Sequence, residues 1–179
     1  MRSNTMAGAL LLLASILSVA PAGPAKSAPQ KKEYLSEAEA DKIREAGATG
    51  PRILLFATFA SDRIKKLQYE FAHFDPTDQK RTDRLNGLIN SYTGCIDDAA
   101  DLIDIGIEKQ QDIRDGVKAM QAGIKEFLPY LQGLAMNGPE RETYKENLED
   151  AIEATQDAAK DLEKAPKETS APPERRKPS

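Results

Sequence analysis

Apolar side chains recur every three or four residues along most of this chain and nowhere alternate with polar ones. That spacing is the helical period, and it leaves little room for a sheet. β-branched residues never cluster either. From Pro51 the apolar set runs Ile53, Phe56, Ala60, Ile64, Leu67, Phe71 and Phe74. A second stripe follows with Leu85, Leu88, Ile89, Tyr92, Ile96, Ala99, Leu102 and Ile103. A third runs Ile113, Val117, Met120, Ile124, Phe127, Leu128 and Leu131, and a fourth runs Tyr144, Leu148, Ala151, Thr155, Ala158 and Leu162.

Local signals punctuate these stripes. "SEAE" at 36 to 39 predicts a capping box, and the short helix it opens should stop near Gly47. Pro51 suits the first position of the next helix, where its missing N–H is harmless. "DPTD" at 75 to 78 should end that helix and start another. Pro129 should kink or end its run, "NGPE" at 137 to 140 should break it, and the last helix should stop at Pro166. Between 104 and 115 the stripe keeps its phase, with Gly106 as the only turn signal. One helix from about 78 to 128, roughly 75 Å long, is therefore expected, although compactness would favour a break near 106 to 112. The predicted class is all-α: an antiparallel helical bundle, or coiled-coil-like hairpins, of three or four long amphipathic helices with disordered N- and C-terminal flanks.

The 179 residues divide unequally. Arg2, the apolar run "AGALLLLASILSVA" and Ala20-Pro21-Ala22 read as a secretory signal over residues 1–22, cleaved after Ala22, with Ala25 or Ala28 as further cleavage points. The run is shorter than the roughly 20 residues that span a bilayer, so no stable membrane span is expected after cleavage. Residues 23–33 read as a disordered linker, 34–164 as one helical domain and 165–179 as a disordered tail rich in Pro, Lys and Arg. Residues 33–164 carry 17 Lys and Arg against 27 Asp and Glu. An acidic body argues against nucleic acid, which is bound by neutralising phosphates.

"CIDDAADLIDIGIEKQQDIRD" at 95 to 115 sets a carboxylate at almost every helical turn. On a helical wheel Asp97, Asp101, Asp104, Glu108 and Asp115 fall within an arc of about 60°, opposite the apolar stripe. A metal or catalytic carboxylate in a bundle projects inward, whereas these point outward and read as a solvated face. No EF-hand spacing is present.

"EFAH", Glu70 to His73, has the E-x-x-H spacing of carboxylate-bridged metal bundles, but such centres need two such motifs and His73 is the only histidine. Near a helix C-terminus it reads as a dipole complement. Cys95, the only thiol, should lie roughly 25 Å along the axis from His73 if the two helices turn at 75 to 78. A Cys–His dyad is thus excluded, and Cys95 reads as a buried small hydrophobe, with cross-linking of two chains as the alternative in an oxidising compartment. There is no phosphate loop, nucleophile elbow, zinc-protease motif or haem-attachment motif. No catalytic residue, cofactor-binding residue or metal ligand is assigned.

The phrases "EADKIREA", "CIDDAADLIDIGIEKQQDIRDGVKAMQ" and "LEDAIEATQDAAKDLEKA" resemble uncharacterised secreted helical proteins of bacteria over most of residues 34 to 164. The resemblance implies an exported bundle and transfers no functional residues. The expected function is that of a periplasmic or secreted non-catalytic scaffold, adaptor or chaperone-like envelope factor. Its partner would be another protein, or a second copy of itself, met through exposed parts of the stripes around Ile53, Phe56 and Phe59 or Met120, Phe127 and Leu131, although any one of these residues taken singly reads more readily as core. The alternative is a carrier of a small ligand, lipid or metal, or an enzyme, with an interior site among Tyr92, Cys95, Thr155 and Gln156.

Overall fold

A capping box opens the described part of the chain. The Ser36 hydroxyl accepts from the Glu39 amide at 3.3 Å, and the Glu39 carboxylate accepts from the Ser36 amide at 2.9 Å. The computed structural model describes residues 34–168. The predicted signal segment, the linker at 23–33 and the tail beyond 168 lie outside them.

Five α-helices make up almost all of the described residues, and none of these residues is in a strand. They are α1 (Glu37–Glu45), α2 (Thr49–Ala72), α3 (Arg81–Glu108), α4 (Arg114–Asn137) and α5 (Lys145–Glu168), with a 3-10 turn at Arg141–Thr143 before α5. The all-helical class is as the periodicity predicts. The stripes become the core: Ile53, Phe56, Ile64, Leu67, Leu85, Ile89, Ile96, Ile103, Met120 and Leu131 are at most 2% exposed. Each such side chain contributes roughly 1.5–3 kcal/mol by leaving water.

α2 packs against α3 and α4, and α5 packs against the same two helices. Directions follow from the cross-helix hydrogen bonds. Asn86 meets Asn147 and Tyr92 meets Thr155, so α3 and α5 run the same way. Glu70 near the end of α2 binds Arg84 near the start of α3, so those two run oppositely. Gly50 and Ile53 of α2 lie against Ile113 and Gly116 at the start of α4, so α2 and α4 start at the same end.

The expected single helix from 78 to 128 is broken between Glu108 and Arg114. The break is a tight C-terminal cap. Gln110 is left-handed (φ 52°), its N–H donates to the Ile107 carbonyl at 3.0 Å, and the Gln111 N–H donates to the Gly106 carbonyl at 2.8 Å. Ile113 then tucks back into the core, fully buried. It lies so close to Gly106 that a Cβ there would sit 2.5 Å from the Ile113 methyl. The apolar phase survives the break because Ile113 belongs to the core while the backbone turns around it. Glycine holds the left-handed conformation without the Cβ penalty. Gln110→Gly is therefore expected to raise stability by about 0.5–1 kcal/mol, read as a higher urea midpoint at unchanged slope.

Two proline expectations are corrected, and of the kink or end expected at Pro129 the end does not occur. Pro51 is the third residue of α2, not the first, and the N–H it lacks is still one of the four that a helix start leaves unbonded. α4 runs through Pro129 to Asn137. Pro129 and Lys125, whose carbonyl loses its partner, are both exposed, so water can serve that carbonyl. α5 continues through Ala165, fully buried, and Pro166 to Glu168, since one missing bond in a last turn does not end a helix. The next helix after "DPTD" begins at Arg81, with the Asp75 carboxylate accepting from the Thr77 amide in the intervening turn.

Candidate functional site

Two arginines sit on the apolar phase of their helices and are buried there, Arg63 at 6% and Arg81 at 4% exposure. Arg63 lies one turn from both Phe59 and Leu67, and Arg81 lies one turn before Leu85. A charge in that phase must find a partner or be expelled. Each finds one supplied from far along the chain.

Arg63 is held by α1. Its two terminal nitrogens donate to the two Glu39 oxygens at 2.5 and 2.8 Å, and Nη2 also reaches the Tyr34 carbonyl at 3.4 Å. The guanidinium lies over the Phe59 ring, 5.9 Å from its centroid. The Arg63 hydrogen bonds, joined by those from Ser36, hold the Glu39 carboxyl down at about 2. Beside it, Tyr34 lays its ring on α3 at Gly94, where a Cβ would stand 2.7 Å from the ring. Leu35 is buried next to it in sequence.

Arg81 closes the end of the molecule where α2 stops and α3 and α5 start. Its Nε donates to Glu140 at 2.9 Å, Nη1 donates to the Glu70 carbonyl, and its guanidinium lies 5.6 Å from the Phe71 centroid and 5.0 Å from that of Phe74. Phe71 packs edge-on to Tyr144, whose hydroxyl donates to the Pro139 carbonyl at 2.7 Å. Glu70 is engaged by Arg84 through both of its oxygens, at 3.2 and 2.9 Å, and this holds its carboxyl below the usual range.

Asp97, Asp101, Asp104, Glu108 and Asp115 are all exposed, with Asp115 on α4 and the other four on α3. Among the described residues no group of three or more His, Cys, Asp or Glu side chains is placed to hold a metal ion. In "EFAH", Glu70 turns to Arg84, while His73 caps α2 with Nδ1 2.9 Å from the Tyr69 carbonyl and its ring stacked on Tyr69 at 4.0 Å. Cys95 is buried on α3.

Of the four interior polar candidates, Tyr92, Cys95 and Thr155 lie in the core and Gln156 is exposed. Thr155 donates to the Ala151 carbonyl at 2.6 Å, so the Tyr92 hydroxyl, 2.8 Å away, donates to Thr155. Burial raises the Tyr92 pKa well above its ordinary value and keeps it a neutral donor. This pair pins the register of α3 on α5. Tyr92→Phe should cost about 1 kcal/mol in urea unfolding, since Thr155 keeps its bond to Ala151.

Ile53, Phe56, Phe59, Met120, Phe127 and Leu131, around which exposed parts of the stripes were expected, are all core, the reading that each of them favoured singly. Among the described residues, the large apolar side chains that do face water are others: Leu54, Tyr69, Phe74, Ile105 and Met136. No described helix is long and apolar enough to cross a membrane. Comparison with protein-family models, curated proteins and solved structures finds no match to the chain.

Proposed function

We propose that the chain is an exported, non-catalytic antiparallel bundle of four long helices that works by holding another protein, as an envelope scaffold, adaptor or chaperone-like factor. The observation that carries this reading is the placement of exposed apolar side chains. Tyr69, Phe74 and Met136 are 61%, 53% and 68% exposed, and all three lie where α2 and α4 end. Arg81 ties that end together by bonding both Glu70 and Glu140. Large apolar residues grouped on one end of a small domain are a common mark of a protein contact. Export rests on residues 1–22 and implies a periplasmic or secreted location.

The interior supports binding at the surface over a ligand inside. It is filled by apolar side chains, and its central polar pair, Tyr92 and Thr155, is satisfied from within. Native mass spectrometry of the mature protein from its host's envelope tests the reading. A complex with another protein that is lost on joint replacement of Tyr69, Phe74 and Met136 by serine supports it. A small molecule, lipid or metal retained in fixed stoichiometry by a protein without such a complex overturns it.

A further inference from the structure

We propose that the segment Tyr34–Ala46 is an exchangeable strap, and that the groove around Arg63 takes the same segment of a second copy of this chain. The inference stands on the strap and its groove alone and does not depend on the exported-adaptor reading.

Three observations carry it. The strap is held at a few points: α1 has no fully buried residue of its own. What fixes it is the bidentate Glu39–Arg63 pair, the Tyr34 ring on Gly94, the Leu35 side chain and Ile43, half-buried against the core. The groove, by contrast, is built in the body. Arg63 is buried on α2, Gly94 leaves a notch on α3 for the tyrosine ring, and Phe59 floors the guanidinium. A site this specific for Tyr-Leu-Ser-x-x-Glu fits the identical segment of another copy by construction.

The third observation is the joint. Between α1 and α2 the chain reverses over Ala46-Gly47-Ala48, with Gly47 at φ 64° and the Ala48 N–H donating to the Ala46 carbonyl at 2.6 Å. Glycine takes a turn of this kind and its mirror image at equal cost, so the joint is free to change conformation. The positive φ of Gly47 is what turns the chain out of the helical path between α1 and α2. Closed and exchanged forms make the same strap-to-groove contacts and differ only in the conformation of the joint and in the entropy of pairing two chains.

Charge reversal in two full-length chains tests this. E39R sets a strap arginine against Arg63, whose remaining carboxylate is Asp62 of its own helix, and R63E sets a strap carboxylate against another carboxylate, so each alone stays monomeric. In a one-to-one mixture exchange restores both pairs. The strap of the E39R chain then meets an acidic groove on the R63E chain, and the native Glu39 strap of the R63E chain meets the native Arg63 groove of the other. Native mass spectrometry should show a heterodimer at least tenfold tighter than either homodimer. The double variant E39R/R63E, closed within one chain, should be monomeric at the same concentration. Two folded single variants that stay monomeric when mixed overturn the proposal.

Should R63E fail to fold, the wild-type chain supplies the second measurement. Two populations of different isotopic mass, concentrated together in mild urea and diluted, should yield mixed dimers that E39R chains do not form. Absence of mixed dimers, or equal dimerisation by E39R, overturns the proposal.

Discussion

Glu39→Gln is expected to lower the stability of the domain by about 2 kcal/mol at neutral pH and to leave the rest of the fold intact. Glutamine keeps the capping box, which accepts either residue at that position, so the change isolates the charge. It leaves the Arg63 guanidinium, 7% exposed, with only Asp62 at 3.4 Å as a counter-charge. Removing one member of a buried pair is costly because the other stays behind. The size follows from the carboxyl itself: a fall from 4.5 to about 2 corresponds to roughly 3 kcal/mol. Because 16% of the Glu39 side chain is in water, screening trims this to about 2 kcal/mol.

The sign of the pH dependence is fixed by the depressed carboxyl. The stabilisation is complete above about 4.5, the unfolded value, and is lost as pH falls from there through about 2. Urea unfolding of the two chains should differ at pH 7 and converge near pH 2. A difference that persists undiminished at pH 2 would sink the assignment.

The second large effect belongs to the crossing of α2 and α4. A Cβ added at Gly116 would lie 2.7 Å from the Ile53 Cβ and 2.9 Å from the Gly50 carbonyl, and one added at Gly50 would lie 2.6 Å from the Asp112 carbonyl. Both helices thus present glycine to backbone, and backbone cannot rotate out of the way as a side-chain tip can. Gly116→Val must push the helices apart, opening the packing around Ile53 and Val117. Overpacking of this kind costs about 2–4 kcal/mol and should lower the thermal midpoint by roughly 10 °C. Gly87→Ala, on α3 with nothing within 4 Å of an added Cβ, is the contrasting case and should stabilise by about 0.5–1 kcal/mol. If both substitutions moved the midpoint alike, close approach would not be what Gly116 provides.

The helical class and the buried stripes were legible because 3.6-residue periodicity survives whatever the helices pack against. The break at 109–113 was hidden for a specific reason. Its left-handed residue is Gln110 where a glycine would have announced a cap, and Ile113 keeps the stripe in phase by folding into the core. Pro129 misled in the other direction, since a proline on a wet helix face removes one bond that water replaces. The two buried arginines carried a readable signal, a charge in apolar phase. Their partners did not: Glu39 lies 24 positions from Arg63 and Glu140 lies 59 from Arg81, separations that no local spacing encodes. The surface was the least legible part. Every apolar residue proposed as a contact from the stripes is core, and of the exposed ones only Phe74, at the end of the first stripe, belongs to a stripe.

The step at 109–113 also bears on how the chain acquires its packing. α2 and α3 are joined across residues 73–80, and α4 and α5 across 138–144, so each of these packed pairs can close over a short loop. The parallel contacts are of another kind, joining Asn86 to Asn147 and Tyr92 to Thr155, 61 and 63 positions apart. Loop entropy is therefore met in two instalments, a small one within each hairpin and a larger one when the hairpins stack. Until that stacking happens, the Tyr92 face of the first hairpin and the Thr155 face of the second have no cover but water. The vulnerable moment in the life of this chain is an encounter between halves, not the winding of any helix.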